Sequence, residues 1–221
     1  MRPAIEVSDD PAGLAAERLA AAAGNVVLTG GSTPRKAYER TAELRRDWSG
    51  VHIWFSDERC VPPDHEHSNY RMTKDALLDR IEGATVHRIK GELGPEAGAH
   101  AYEEELRGAG VERMDLMLIG LGADAHVCSL FPGDAALGER ERLAVGVETP
   151  GMPPLLSRVT LTLPVVNSAS AVMFLVTGED KADAVARSFS DAPDPSAPGS
   201  LVRPDSGELT LIADPAAVAR L

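Results

Sequence analysis

Asp124 and His126 stand two residues apart in GLGADAHVCSLFPG, residues 120–133, just after the apolar run LMLI. A neutral imidazole near pH 7 can take a proton from water, and a carboxylate beside it can hold its tautomer and stabilise the imidazolium that forms. An isolated histidine is most simply a packed core side chain. The neighbouring carboxylate, and a position just past a strand end, favour a general base instead. Ser129 lies three residues beyond His126, but no G-x-S-x-G elbow surrounds it, so a covalent serine intermediate is not expected.

Other stretches carry groups suited to an anion. In TGGSTPRKAY, Gly30 and Gly31 allow close backbone approach, Ser32 and Thr33 supply hydroxyls, and Pro34 suits the first turn of a helix whose unpaired N–H groups favour negative charge. The stretch is either a phosphate cradle or an ordinary strand-to-helix turn, and it matches neither nucleotide-binding glycine pattern. In SDERCVPPDHEHSNYRM, Asp57, Glu58 and Arg59 crowd a strand end, as a solvated charge cluster or as part of a site. His65 and His67 alternate in a polar loop and are assigned no metal. Lys181 opens a predicted helix, where a cation opposes the helix dipole unless an anion relieves it. Arg158 precedes a strand and would reach the same rim only if that strand runs antiparallel.

The elements that must position these groups are short apolar runs alternating with helical stretches, the pattern of an α/β fold with a mainly parallel sheet between helices. The predicted strands are residues 25–29, 51–55, 85–89, 115–120, 159–163, 171–177 and 209–213. Their near-continuous apolar character fits strands covered on both faces. Predicted helices cover residues 9–23, with Ser8 or Asp9 as N-cap, and 34–47, 68–80, 95–107 and 181–188. Residues 147–157 and 190–200 are rich in proline and glycine and read as surface loops. In such sheets ligands bind beyond the carboxyl ends of the strands, where Gly30, Arg59, His126 and Lys181 all fall.

Composition narrows the classes further. The chain of 221 residues is expected to form one domain, residues 1–221, with no internal repeat. Its 34 acidic and 22 basic side chains give a net charge of −12, with no basic cluster, which argues against a nucleic-acid partner. Cys60 and Cys128 have no paired ligand spacing and fit a reducing compartment. With no signal-like segment and no membrane-length apolar stretch, the expected location is the cytoplasm, without membrane association. The oligomeric state is not readable.

Taken in order and spacing, GGSTP, FSDERCVPPDHEHSNYRM, DLMLIGLGADAHVCSLFPG and SRVTLTLPVVN resemble the 6-phosphogluconolactonase family, grouped with the glucosamine-6-phosphate isomerases. The resemblance implies a Rossmann-like α/β fold and hydrolysis of 6-phospho-D-glucono-1,5-lactone in the pentose phosphate pathway, with no cofactor and no metal. It places His126 as the base, and the phosphate against Gly30, Gly31, Ser32, Thr33, Arg158 and Lys181. Asp57 is counted with the substrate-binding residues, and Arg59 lies near the sugar or lactone, leaving open which arginine meets the phosphate. In that reading Asp124 orients His126, and Arg59 or backbone N–H groups stabilise the oxyanion. The alternatives are a glucosamine-6-phosphate deaminase, which has an acidic, Asn-rich segment where this chain has SLFPG, and a non-catalytic sugar-phosphate sensor. One residue departs from the family's G-x-D-G-H: Ala125 replaces its second glycine, and is expected in a right-handed or bridge conformation.

Overall fold

Apolar runs that pair side by side need helices to cover them, and the chain supplies both in alternation. The computed structural model describes residues 3–190 and 192–221. Its elements in order are β1 (Ala4–Val7), α1 (Pro11–Ala20), β2 (Gly24–Leu28), α2 (Ser32–Leu44), β3 (Val51–Phe55), β4 (Asp57–Arg59), α3 (Asn69–Ala76) and β5 (Thr85–Val86). There follow α4 (Pro95–Gly108), β6 (Leu116–Ile119), β7 (Ala144–Val147), β8 (Arg158–Leu161), α5 (Leu163–Ser168), β9 (Ala171–Val176), α6 (Ala182–Ser188) and β10 (Glu208–Ala213). A seven-stranded sheet has the order β1-β10-β9-β6-β2-β3-β5, with every neighbouring pair parallel. A separate sheet, β4-β8-β7, is antiparallel. The architecture is α/β and Rossmann-like.

The central strands β2, β6 and β9 bury Val26, Val27, Leu28, Met117, Leu118, Ile119 and Phe174 almost completely, as strands with both faces covered must. Helix α1 turns Ala12, Ala15, Ala16 and Leu19 to this core, the i, i+3, i+4, i+7 stripe of an amphipathic helix. Its N-cap is Asp10, whose carboxylate accepts from Gly13 N, in place of the expected Ser8 or Asp9.

The largest difference from the sequence expectation concerns residues 159–163. They do not join the parallel sheet: β8 pairs antiparallel with β4 and β7, and α5 begins at Leu163, with Pro164 in its first turn, where its missing N–H costs nothing. β1, β4 and β7 were not expected; DER has no apolar signal, and β1 is an edge strand with Ile5 and Val7 exposed. Several expected elements are shorter: α1 covers Pro11–Ala20, β5 covers Thr85–Val86, and α3 stops at Ala76 before a 3-10 turn at Leu78–Arg80.

Because β5 is so short, the outer side of Phe55 has no strand partner. The Tyr102 hydroxyl from α4 fills the gap, accepting from Phe55 N at 2.9 Å and donating to Phe55 O at 3.0 Å. Tyr38 from α2 does the same for Thr29 at the end of β2, with both bonds at 2.8 Å. Burial pushes both phenols well above their ordinary pKa, so each stays protonated and able to donate. Tyr102→Phe strands a buried N–H and C=O, and is expected to lower stability by about 2 kcal/mol. The expected reading is a lower urea midpoint with an unchanged slope.

Candidate active site

Beyond β6 the chain reverses in a tight turn: Ala125 N donates to Gly122 O and Gly122 N to His126 O, each at 2.9 Å. The imidazole is thereby laid against Gly122, where no side chain fits. A β-carbon there would lie 2.1 Å from His126 Nδ1 and 2.6 Å from Asp124 Oδ1. Ala125 does not take the expected right-handed or bridge conformation; its φ is +69°. The turn's hydrogen bonds impose it, together with a bond from Gly199 N to Ala125 O at 2.9 Å. The left-handed backbone costs roughly 1 kcal/mol for alanine, and the fully buried methyl group returns about 0.8 kcal/mol. Alanine can therefore stand where the related pattern has glycine.

His126 Nδ1 lies 2.6 Å from Asp124 Oδ1, and His126 N donates to the same oxygen at 3.1 Å. Partial burial works to raise the Asp124 carboxyl, but the hydrogen bond and charge of His126 outweigh it, and the group is held below its ordinary value. An ionised carboxylate only accepts, so the ring proton sits on Nδ1 and the lone pair is left on Nε2. This is the tautomer that a base at Nε2 requires.

The imidazole, 19 % exposed, lines a cleft of about 200 Å³. Gly30, Gly31, Asp57, Arg59, Arg158 and Lys181 line the same cleft, so most of the expected residues are gathered there. Arg158 arrives because β8 is antiparallel, which sets it directly opposite Arg59 across the β4–β8 ladder. Like charges in that register repel. Burial, reinforced by Arg59, pushes the Arg158 guanidinium below its usual pKa despite the opposing influence of Asp57. No carboxylate lies within 4.0 Å of either guanidinium among the described residues. The Nε atoms of both arginines are buried without a partner among the described residues. Arg59 spends one N–H on His67 O, and Arg158 bonds the Pro154 carbonyl at 3.1 Å. Lys181, expected to open a helix, closes a 3-10 turn and is the N-cap of α6, which starts one residue later at Ala182.

The GGST turn contributes backbone. Gly31 has φ +116°, and no side chain caps the start of α2, so its first N–H groups are open to an anion. The hydroxyls behave differently from expectation: Ser32 is exposed outside the cleft lining, and Thr33 bonds Thr177 Oγ1 at 2.8 Å beside a neighbouring cavity. Asp57 reaches the cleft, but its carboxylate accepts from Ser56 Oγ at 2.7 Å and Ser129 Oγ at 2.6 Å. Ser129 is thus a buried donor to Asp57. Glu58 caps α3, accepting from Ser68 Oγ and from the backbone N–H groups of Arg59, Asn69 and Tyr70. Sequence reasoning missed Thr29, Asn69 and Gly122 in the lining. Only the position of Asn69 just after the Ser68 cap offered a signal, and its amide donates to Asp57 O at 2.9 Å.

A family profile described as glucosamine-6-phosphate isomerases/6-phosphogluconolactonase matches residues 6–211. The chain belongs to this family. Curated relatives include a 6-phosphogluconolactonase of Nostoc, 37 % identical over 206 residues, covering 89 % of this chain and 84 % of that protein. Another, from Synechocystis, is 36 % identical, covering 86 % and 82 %. Among solved structures, a Thermotoga maritima 6-phosphogluconolactonase aligns with TM-score 0.84 at 31 % identity, covering 96 % of this chain and 100 % of that one. A monomeric glucosamine-6-phosphate deaminase shares the fold at TM-score 0.84 with 17 % identity over the full length of both chains.

Two measurements check the turn. Relief of strain and loss of a buried methyl nearly cancel, so Ala125→Gly is expected to change stability by less than about 1 kcal/mol in urea unfolding. The depressed Asp124 pKa means that its contribution to stability is present above the ordinary aspartate value of 3.8 and is lost as pH falls through the lower folded value. Asp124→Asn should therefore flatten the decline of stability with acidification in that window.

Proposed function

We propose that the protein hydrolyses 6-phospho-D-glucono-1,5-lactone to 6-phospho-D-gluconate. The observation that carries this reading is the opening of the Asp124-held imidazole onto the same cleft as Arg158, a buried cation with no carboxylate within 4.0 Å among the described residues. A base and an anion site in one cleft suit an ester whose phosphate is remote from the reacting carbon. The names of the curated relatives support the same substrate.

In the proposed mechanism Arg158, Lys181 and the N-terminus of α2 hold the phosphate, so that binding energy far from the carbonyl positions C1. His126 Nε2 takes a proton from the water whose oxygen bonds to C1. Arg59 or backbone N–H groups of the 120–122 loop stabilise the oxyanion, a contribution of about 3 kcal/mol per donor at comparable sites. As the tetrahedral intermediate collapses, the C1–ring-oxygen bond breaks and the imidazolium returns its proton to that oxygen. The product acid then ionises to the carboxylate. Asp124 keeps the ring in the productive tautomer throughout, and none of these steps calls on a cofactor. The setting we propose is the cytoplasmic pentose phosphate pathway; no helix among the described residues is long and apolar enough to cross a membrane.

The test is lactone hydrolysis with continuous consumption of the product, corrected for the spontaneous rate, run beside ammonia release from glucosamine 6-phosphate. Ammonia release without accelerated lactone hydrolysis would overturn the reading. His126→Ala is expected to lose at least ~100-fold in kcat while still binding 6-phosphogluconate. Arg158→Met, which removes charge-assisted hydrogen bonds, should raise KM by about 10- to 100-fold.

A further inference from the structure

Two groups that line the cleft, His126 and Arg158, rest against one aromatic ring behind its lining. Phe131, from the SLFPG segment, is 2 % exposed. Its ring centroid lies 4.5 Å from that of His126, at an interplanar angle of 41°. The Arg158 guanidinium carbon stands over the same ring, 5.5 Å from its centroid. The ring also backs the proline-rich loop: a β-carbon on Gly151 would sit 3.4 Å from Phe131 Cδ1. That loop in turn accepts from Arg158 through the Pro154 carbonyl at 3.1 Å and, at 3.5 Å, the Met152 carbonyl.

We infer that Phe131 is a positioning residue for the reaction, a rigid aromatic wall that fixes the imidazole of His126 and the guanidinium of Arg158 relative to one another. The inference rests on the lactonase reading for its kinetic consequence, while its structural content stands apart from that reading. Three features carry it. Arg158 has no carboxylate partner to fix it among the described residues, so the ring face is one of the few attractive surfaces that define its place; an aromatic face draws a cation by its negative quadrupole. The imidazole is hydrogen-bonded at Nδ1 to Asp124 and backed along its Nδ1–Cε1 edge by Gly122, and Phe131 adds a further contact that limits the swing of its plane. Finally, the ring is buried too closely to move independently of its neighbours, and closely packed interiors transmit displacement. A side chain of similar volume but without a flat, polarisable face would fill the space and still let both groups wander.

Phe131→Leu and Phe131→Met test this, with Phe174→Leu as the control. Phe174 is equally buried and packs edge-to-face on Phe189, whereas the ring contacts to His126 and Arg158 are made by Phe131. The probes are lactone turnover, binding of inorganic phosphate by titration, and long-range proton–nitrogen NMR of the His126 imidazole, assigned with His126→Gln. For folded Phe131 variants we expect kcat to fall about 10- to 100-fold, the scale for misplacement of a reacting group. Phosphate binding should weaken several-fold, and the His126 nitrogen signals should move from the Nδ1-protonated pattern toward tautomer averaging. Phe174→Leu should lower stability alone. Kinetics, phosphate affinity and imidazole signals in both Phe131 variants that match Phe174→Leu would overturn the inference. If the wild type itself leaves the lactone untouched, the functional reading falls, and the phosphate and imidazole measurements still decide whether Phe131 positions the two groups.

Discussion

Seven strands running in the same direction deliver their carboxyl ends to a single edge of the sheet, and everything chemical in this protein depends on that alignment. The chain leaves β2 through Gly30 and Gly31, leaves β6 through the turn that carries His126, and leaves β9 toward Lys181. Each exit is a place where backbone N–H groups and side chains are released from the ladder and become available to a ligand. The tyrosine hydroxyls that complete hydrogen bonding at Thr29 and Phe55 keep this edge ordered where neighbouring strands have run out.

On that edge the structure concentrates features that are individually unfavourable. Ala125 and Cys128 both hold positive φ within a few residues of each other. Arg59 and Arg158 face each other across a ladder, with Nε atoms unpartnered among the described residues. Asp57 is buried, with its carboxylate accepting from two hydroxyls. Strain and unpaired charge gather where a protein prepares a site in advance, because a ligand then meets groups already in place. The sign of the charge is local: a chain of net charge −12 repels anions at long range, yet cations in a cleft dominate at short range because salt screens the distant field over roughly 10 Å.

Much of this was legible in the residues. The apolar runs of β2, β3, β6, β9 and β10 announce themselves, and the polar residues that follow them could be assigned to one rim before any coordinates. Where reading failed, the cause was the absence of a local signal. The strand DER carries three charged side chains, and is a strand only because β8 lies beside it. Thr33 resembles a phosphate ligand by type, but its hydroxyl is claimed by Thr177, a residue far along the chain. Asn69 gave little sign of reaching the cleft, since its placement follows from the way Glu58 caps α3.

The sequence by itself determined which chemical groups follow which strand, the pairing of Asp124 with His126, and the identity of the cations, since these depend on neighbours within a few residues. Tertiary structure alone decided that β8 runs antiparallel and so sets Arg158 against Arg59, that Gly199 ties down the Ala125 carbonyl, and that Phe131 packs against both imidazole and guanidinium. The reason is range. Propensity and capping act over a turn or so of chain, whereas ladder partners, burial and the direction of a returning strand are fixed by contacts between segments remote in sequence.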